Sequence, residues 1–226
     1  MTDELLNNWS PSPFGEITEE KLTPLRYACN FLTRGITPNY PDHDEGYWVL
    51  NQSCVRRKGV DFSERKYHVP EDEIDKEYLL RDGDVLLNST GTGTAGRSTI
   101  FRQPEDVDKV FADSHITILR PDPKILTPEY LCYVLQSQVM VEYFDEVLSV
   151  GATNQIELNK GDIASLKVPT PPIEQQKKIV EDLDKVNEQI GDLISRSEDL
   201  ISLLEERRES EVTRRIIGSV RGGNNE

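Results

Sequence analysis

Apolar positions along the 226-residue chain change rhythm once, near Pro171 and Pro172. Upstream they gather in short runs; downstream they recur every three or four residues almost to the end. Tyr47-Trp48-Val49-Leu50, bounded by Gly46 and Asn51, reads as a buried strand. Val60-Asp61-Phe62 is a shorter extended piece. Val85-Leu86-Leu87 leads out of the turn Arg81-Asp82-Gly83-Asp84, and residues 98–102 read as its hairpin partner around a glycine-rich loop. Residues 115–119 alternate apolar and polar, as a half-buried strand does. Behind Pro128, the residues Tyr130, Leu131, Val134 and Leu135 recur at helical spacing, with Thr127 placed as N-cap, and the pattern runs to about Leu148. Residues 151–159 form a polar loop, and 163–168 return to the globular body.

The prolines of Lys167-Val-Pro-Thr-Pro-Pro cannot donate ladder hydrogen bonds, so a strand ends there. Glu174 then sits in a first helical turn, where the helix dipole favours an acid. Ile179, Leu183, Val186, Ile190 and Leu193 are spaced 4, 3, 4, 3; Ser197 interrupts, and Leu200 and Leu204 complete an a/d seam. As one helix, residues 173–217 run roughly 65 Å at about 1.5 Å per residue. The seam points to pairing with another helix rather than packing along its own domain. The expected organisation is an α/β (α+β) globular domain over 1–170, a long helix over 171–217 and a disordered tail over 218–226.

Composition narrows the class. Hydrophobic residues make up 36% and charged residues 30%, and no apolar run approaches a membrane span. The sequence Met-Thr-Asp-Glu-Leu-Leu-Asn-Asn-Trp lacks the basic and apolar blocks of a signal peptide. Cys29, Cys54 and Cys132 are far apart and odd in number, which suits reduced core thiols in a cytoplasmic protein. The formal charge of −15 opposes nucleic-acid binding, which draws on clustered Lys and Arg. The charge is unevenly spread: residues 51–102 hold 9 basic and 9 acidic groups, including Arg56-Arg57-Lys58. A binding face is a local matter.

No catalytic constellation emerges. Gly91-Thr-Gly93-Thr-Ala-Gly96 matches the dinucleotide fingerprint, but Arg97-Ser-Thr-Ile-Phe-Arg-Gln-Pro follows it, which is β-like and not the required helix. The loop reads instead as a plain hairpin turn, or as a place where backbone approaches a ligand closely, with Ser89, Thr90, Thr92 and Arg97 as donors. Pro41-Asp42 with Glu64-Arg-Lys66 imitates a metal-dependent nuclease signature, in letters too common to carry weight. His43, His68 and His115 lack zinc-ligand spacing, so no metal is expected. Arg56-Arg57-Lys58 reads equally well as a solvated basic turn or as a contact to phosphate or base edges.

In order, several segments resemble the specificity (S) subunit of type I restriction–modification systems. They are Trp9 with Gly15-Glu16-Ile17; Tyr47-Trp48-Val49-Leu50-Asn51-Gln52; Leu86-Leu87-Asn88-Ser89-Thr90-Gly91-Thr92-Gly93; Gly151-Ala152-Thr153-Asn154-Gln155-Ile156; and Val168-Pro169 through Pro171-Pro172-Ile173-Glu174-Gln175-Gln176. The last, opening the long helix, is the most specific. The resemblance implies a target recognition domain reading one half of a split DNA site. It implies a helix that spaces two such domains and holds methyltransferase (modification) subunits, which carry the S-adenosylmethionine, with a restriction subunit as a further partner. One domain and one helix correspond to a half-subunit, expected to pair as a homodimer or with a second half. This chain itself would be non-catalytic and hold no cofactor.

On that resemblance the DNA-binding candidates are Gln52, Arg56, Arg57 and Lys58 in one loop. Ser89, Thr90, Thr92 and Arg97 follow in the glycine-rich loop, and Asn154 and Gln155 in a third. Arg suits guanine, Asn and Gln suit adenine. The helix interface would be Ile179, Leu183, Val186, Ile190, Leu193, Leu200 and Leu204. The competing reading, favoured by net charge, is an acidic adaptor or decoy that binds restriction–modification subunits and never touches DNA; a nuclease comes third.

Overall fold

The computed structural model describes residues 22–42, 45–69, 72–91, 93–146 and 157–222. It shows a mixed α/β fold in two units, Met1–Val180 and Glu181–Glu226. In the first unit the described elements begin with β1 (Leu22–Pro24), α1 (Leu25–Ala28) and β2 (Cys29–Arg34). Strands β3 (Tyr47–Leu50), β4 (Val55–Arg56), β5 (Gly59–Val60) and β6 (Lys66–His68) follow. Then come β7 (Val85–Asn88), β8 (Ser98–Ile100), β9 (Val110–Ala112) and β10 (Ile116–Pro121). Helices α2 (Pro128–Gln136), α3 (Gln138–Glu146) and α4 (Lys160–Ser165) lead to β11 (Lys167–Pro169) and the long helix α5 (Ile173–Gly222).

An antiparallel sheet of order β2-β10-β7-β8 forms the centre. Its middle strands are buried on both faces, because neighbouring side chains of a strand point to opposite sides. Val85, Leu87 and Leu119 enter one core with Leu25, Tyr130, Leu131 and Leu135 from the helices. Leu86, Ile116 and Ile118 enter a second core with Leu50, Val55, Phe101 and Val110. The alternation in residues 115–119 therefore does not mark a half-buried strand. Thr117 is fully buried, and its hydroxyl is satisfied by the Ser89 hydroxyl across the ladder.

The second sheet, β6-β3-β9, pairs β3 and β9 in parallel, Trp48 opposite Val110 and Leu50 opposite Ala112. β9 is too short to announce itself in the sequence. Gly35 lies against it so closely that a Cβ there would strike the carbonyl oxygens of Ala112 and Asp113. The helix expected from Pro128 is two helices. Thr127 caps the first, accepting from the Tyr130 N–H, but Ser137 adopts extended backbone (φ −64, ψ 150) and breaks it. The Ser137 hydroxyl donates to the Val134 carbonyl, one of the carbonyls the break frees.

Arg120 and Asp84 form an ion pair inside the first unit, Nε to Oδ1 at 2.7 Å and Nη2 to Oδ2 at 2.8 Å, with the Asp84 side chain 1% exposed. α5 begins within the same unit. Gln176 is fully buried; its Nε2 donates to the carbonyls of Ile125 (2.8 Å) and Pro171 (2.7 Å), and its Oε1 accepts from the Thr127 N–H (2.9 Å). Ile179 and Val180 pack in part against the first core.

In the second unit, α5 is helical over 181–222, roughly 63 Å at about 1.5 Å per residue, and helical backbone continues past Gly218. Leu183 is half-buried, whereas Val186, Ile190, Leu193, Leu200 and Leu204 are each 48–61% exposed. Lys185 pairs with Glu181, and Arg214 and Arg215 pair with Glu211. Such fully exposed pairs are screened by solvent and add little to the helix. No described helix is long and apolar enough to cross a membrane.

Candidate nucleic-acid interface

Three segments of the first unit meet at one end of the central sheet. In the first, Asn51 caps a short 3₁₀ turn, its side chain accepting from the Ser53 N–H, and so presents Gln52. Arg57 and Lys58 then form the tip of the β4–β5 hairpin, fully outside the cores. In the second, the chain leaves β7 at Asn88 and returns to β8 through the glycine-rich loop. Gly91, Gly93 and Gly96 have φ of 107°, 73° and 79°, backbone that side-chain-bearing residues rarely adopt. Within it the N–H groups of Thr94 and Ala95 donate to the Gly91 carbonyl, and that of Gly96 to the Asn88 carbonyl. The third segment enters at Glu157, which bridges to Thr90, while the Leu158 N–H donates to Ser89.

Side chains lock these loops together. Gln52 Nε2 donates to Thr90 Oγ1 (2.5 Å), and Thr90 Oγ1 is 2.8 Å from His115 Nδ1. Because the Thr90 oxygen already accepts from Gln52, its own proton is available to His115. Asn88 Nδ2 donates to the Gln52 carbonyl (3.1 Å). His115 is exposed and its N–H donates to Asp113 Oδ1. Burial raises the Asp113 carboxyl above the usual carboxylate range, against the partial opposition of that N–H and the His115 ring.

The described candidates separate into distinct environments. Arg57, Lys58 and Arg97 have no carboxylate within ion-pair distance among the described residues. Arg56 is different: Asp61 (3.7 Å) and Glu64 (3.9 Å) hold it. Two hydrogen bonds from Ser63 lower the Asp61 pKa, with Arg56 adding to the effect. Gln52 and Thr90 are half-buried and tied to one another. Ser89 is 0% exposed with its hydroxyl committed to Thr117, so it is a structural residue beneath the loop and not a surface donor. Thr92, Asn154 and Gln155 lie outside the described residues, as do Trp9, residues 15–17, His43 and residues 147–156.

Three residues outside the sequence-predicted DNA-binding set join the site: His115, Glu157 and Arg34. Arg34 pairs with Glu157 (3.0 Å) and donates to the Leu158 carbonyl (2.8 Å), fixing where the third segment enters. Nothing in their spacing marks them, since strands far apart in sequence bring them together. Among the described residues no group of three or more His, Cys, Asp and Glu could hold a metal ion. Burial raises the thiol pKa of Cys29 and Cys132 to about 12 and that of Cys54 to about 11, so all three are held protonated and inert.

The family described as the type I restriction modification DNA specificity domain matches residues 31–202. The chain belongs to this family. A relative provisionally named type I restriction enzyme MjaX specificity subunit, from Methanocaldococcus jannaschii, is 25% identical over 81% of this chain and 43% of its own length. The type I restriction enzyme EcoBI specificity subunit of Escherichia coli is 30% identical over 57% of this chain and 28% of its own. The chain therefore spans less than half of either relative.

Solved structures share the fold. The HsdS subunit from Thermoanaerobacter tengcongensis superimposes with a TM-score of 0.57 at 15% identity, over 81% of this chain and 46% of that one. A chain from a structural study of complex assembly and conformational transition in the type I R-M system gives 0.59 at 20% identity, over 84% and 44%. The expected family and fold class are both upheld.

Proposed function

We propose that the first unit reads one half of a bipartite DNA site, as a target recognition domain. The apolar stripe of the second unit joins it to a second copy or complementary half and presents it to modification subunits. One observation carries this. In a chain of the specificity-domain family, two polar loops are joined at one sheet end, and they bear Arg57, Lys58 and Arg97, which have no carboxylate partner among the described residues. Polar side chains on rigidly linked loops suit base edges in the major groove, where one good bidentate pair discriminates by roughly 1–3 kcal/mol. Unpaired cations suit backbone positioning. Gln52 is held by Thr90 through its amide nitrogen, and its amide oxygen has no hydrogen-bond partner among the described residues.

Two identical domains joined by a two-fold axis would read an interrupted inverted repeat, with half-sites one or two DNA turns apart at about 34–36 Å per turn. Chemistry would reside in the modification subunits, which supply S-adenosylmethionine, and this chain would act in the cytoplasm as their address. Footprinting the assembled chain and modification subunits on DNA, paired with methylome sequencing, tests the reading. A protected inverted repeat that is also the methylated sequence is expected. A contiguous or asymmetric site would remove the homodimer, and no protection at any salt would remove DNA reading. The net charge of −15 favours the rival adaptor. That reading predicts a complex with modification subunits whose DNA affinity is unchanged when this chain's loops are altered.

A further inference from the structure

A cavity of about 250 Å³ opens between the glycine-rich turn, the tip of the β4–β5 hairpin and the α2–α3 junction. Arg57, Gly93, Gly96, Arg97, Gln136 and Phe144 shape it. Gln136 Nε2 donates to the carbonyls of Arg57 (3.1 Å) and Ser98 (2.9 Å), so one side chain holds the arginine-bearing turn against the end of β8. A Cβ at Gly96 would lie 2.7 Å from the Phe144 ring, whereas one at Gly93 would meet nothing. The glycines thus let the ring close one wall and keep the mouth open.

Charge identifies the occupant. Among the described residues lining the cavity, Arg57 and Arg97 are the charged ones, in a chain with 41 acidic and 26 basic groups. Arg34, Arg56, Arg102 and Arg120 are each paired with a carboxylate, while these two have none among the described residues. Among the described residues the Arg97 guanidinium reaches the carbonyls of Val55 (3.5 Å) and Gly93 (3.4 Å), both long contacts. Two guanidinium groups beside an apolar wall form a setting suited to an anion, because each presents several fixed N–H donors and a permanent positive charge. The volume equals about eight waters at roughly 30 Å³ each, room for a phosphate with its sugar.

We infer that this cavity takes a phosphate carried on a nucleotide, its oxygens held by Arg57 and Arg97. The phosphate belongs either to the backbone of the DNA or to a free nucleotide, and the first source rests on the function proposed above.

The test uses the full chain, alone and with modification subunits, as wild type, Arg57→Ala/Arg97→Ala, Ala95→Glu and a control, Arg81→Ala. Duplex DNA binding is measured against salt, and thermal unfolding with millimolar deoxyadenosine monophosphate. For a DNA phosphate, the double variant lowers the slope of log affinity against log salt by about two, near 0.9 per lost contact, and the nucleotide does not shift unfolding. For a free nucleotide, it raises the wild-type midpoint by several degrees, the shift vanishes in both cavity variants, and the slope is unchanged. Ala95→Glu, which keeps both arginines, gives the same result if the double variant fails to fold. Folded cavity variants with wild-type slope and no nucleotide response at all overturn the inference but leave DNA reading intact. If no form binds DNA, that reading falls and the nucleotide response alone decides the cavity.

Discussion

Replacing Gln176 by alanine removes three hydrogen bonds from a fully buried side chain at the start of α5. Each is worth about 1 kcal/mol net, and the groups left behind lose a partner without being removed. The Ile125 and Pro171 carbonyls and the Thr127 N–H sit in half-buried residues, so entering water offsets part of the penalty. The expected loss is about 3 kcal/mol. Alanine is the better helix former by a few tenths, so a loss of this size cannot come from helix propensity. For a folded unit of 150–250 residues, that corresponds to a midpoint lowered by roughly 6–12 °C. Urea unfolding followed by the fluorescence of Trp48, which lies against Phe62 and under the Arg65 guanidinium, measures it. Gln175→Ala is the internal control: its neighbour in the same motif is exposed and should change by less than about 0.5 kcal/mol. Gln176→Ala within that same margin would refute the view that this residue fastens the helix start to the domain.

Arg120→Met should destabilise by about 3–5 kcal/mol in the same assay, because it leaves the Asp84 carboxylate buried and unpaired; Arg120→Met with Asp84→Asn should recover much of it. Asp113→Asn tests a pH effect. Burial raises the folded-state pKa of Asp113, so the proton it binds favours the fold, fully below the unfolded value near 3.9 and progressively less as pH rises through the folded value. The asparagine variant should therefore be the more stable at pH 7, with the difference vanishing near pH 4; equal stability at both would contradict the assignment. Leu183→Asp with Ile190→Asp should reduce the mass seen by light scattering to that of one chain, and an unchanged mass would take the seam out of the interface.

What could be read from the sequence was local. Tyr47-Trp48-Val49-Leu50 and Val85-Leu86-Leu87 announced themselves by apolar runs between turn residues, and Thr127 by its place before Pro128. Elements defined by distant partners were invisible. β1 is a strand because Leu22 faces Pro169, and β9 because it lies beside β3. The break at Ser137 also went unread, since apolar spacing continues across it into Met140 and Phe144, both core residues. The site divided in the same way. Its loops are legible from glycine and polar content, but only the pairing of β10 with β7 brings the Thr117 hydroxyl onto Ser89 and sets His115 beside Thr90.

The charge problem changes form once the loops have geometry. The surface carboxylates bordering the site are engaged, Glu157 by Arg34 and Asp61 and Glu64 by Arg56, while Asp113 is buried beneath it. Among the described residues there, Arg57, Lys58 and Arg97 have no carboxylate partner, so the described part of the face is locally cationic inside a chain of −15. At physiological ionic strength the Debye length is about 8 Å, which confines a bound phosphate to sensing its immediate neighbours. At 0.01 M salt it extends to about 30 Å, and the distant acids come into range. Low salt, which ordinarily tightens protein–DNA contacts, should here bring the repulsion of the whole molecule to bear on the encounter. The isolated chain should then gain less affinity on dilution of salt than its cationic tips would give alone, and basic partner subunits should restore the usual dependence.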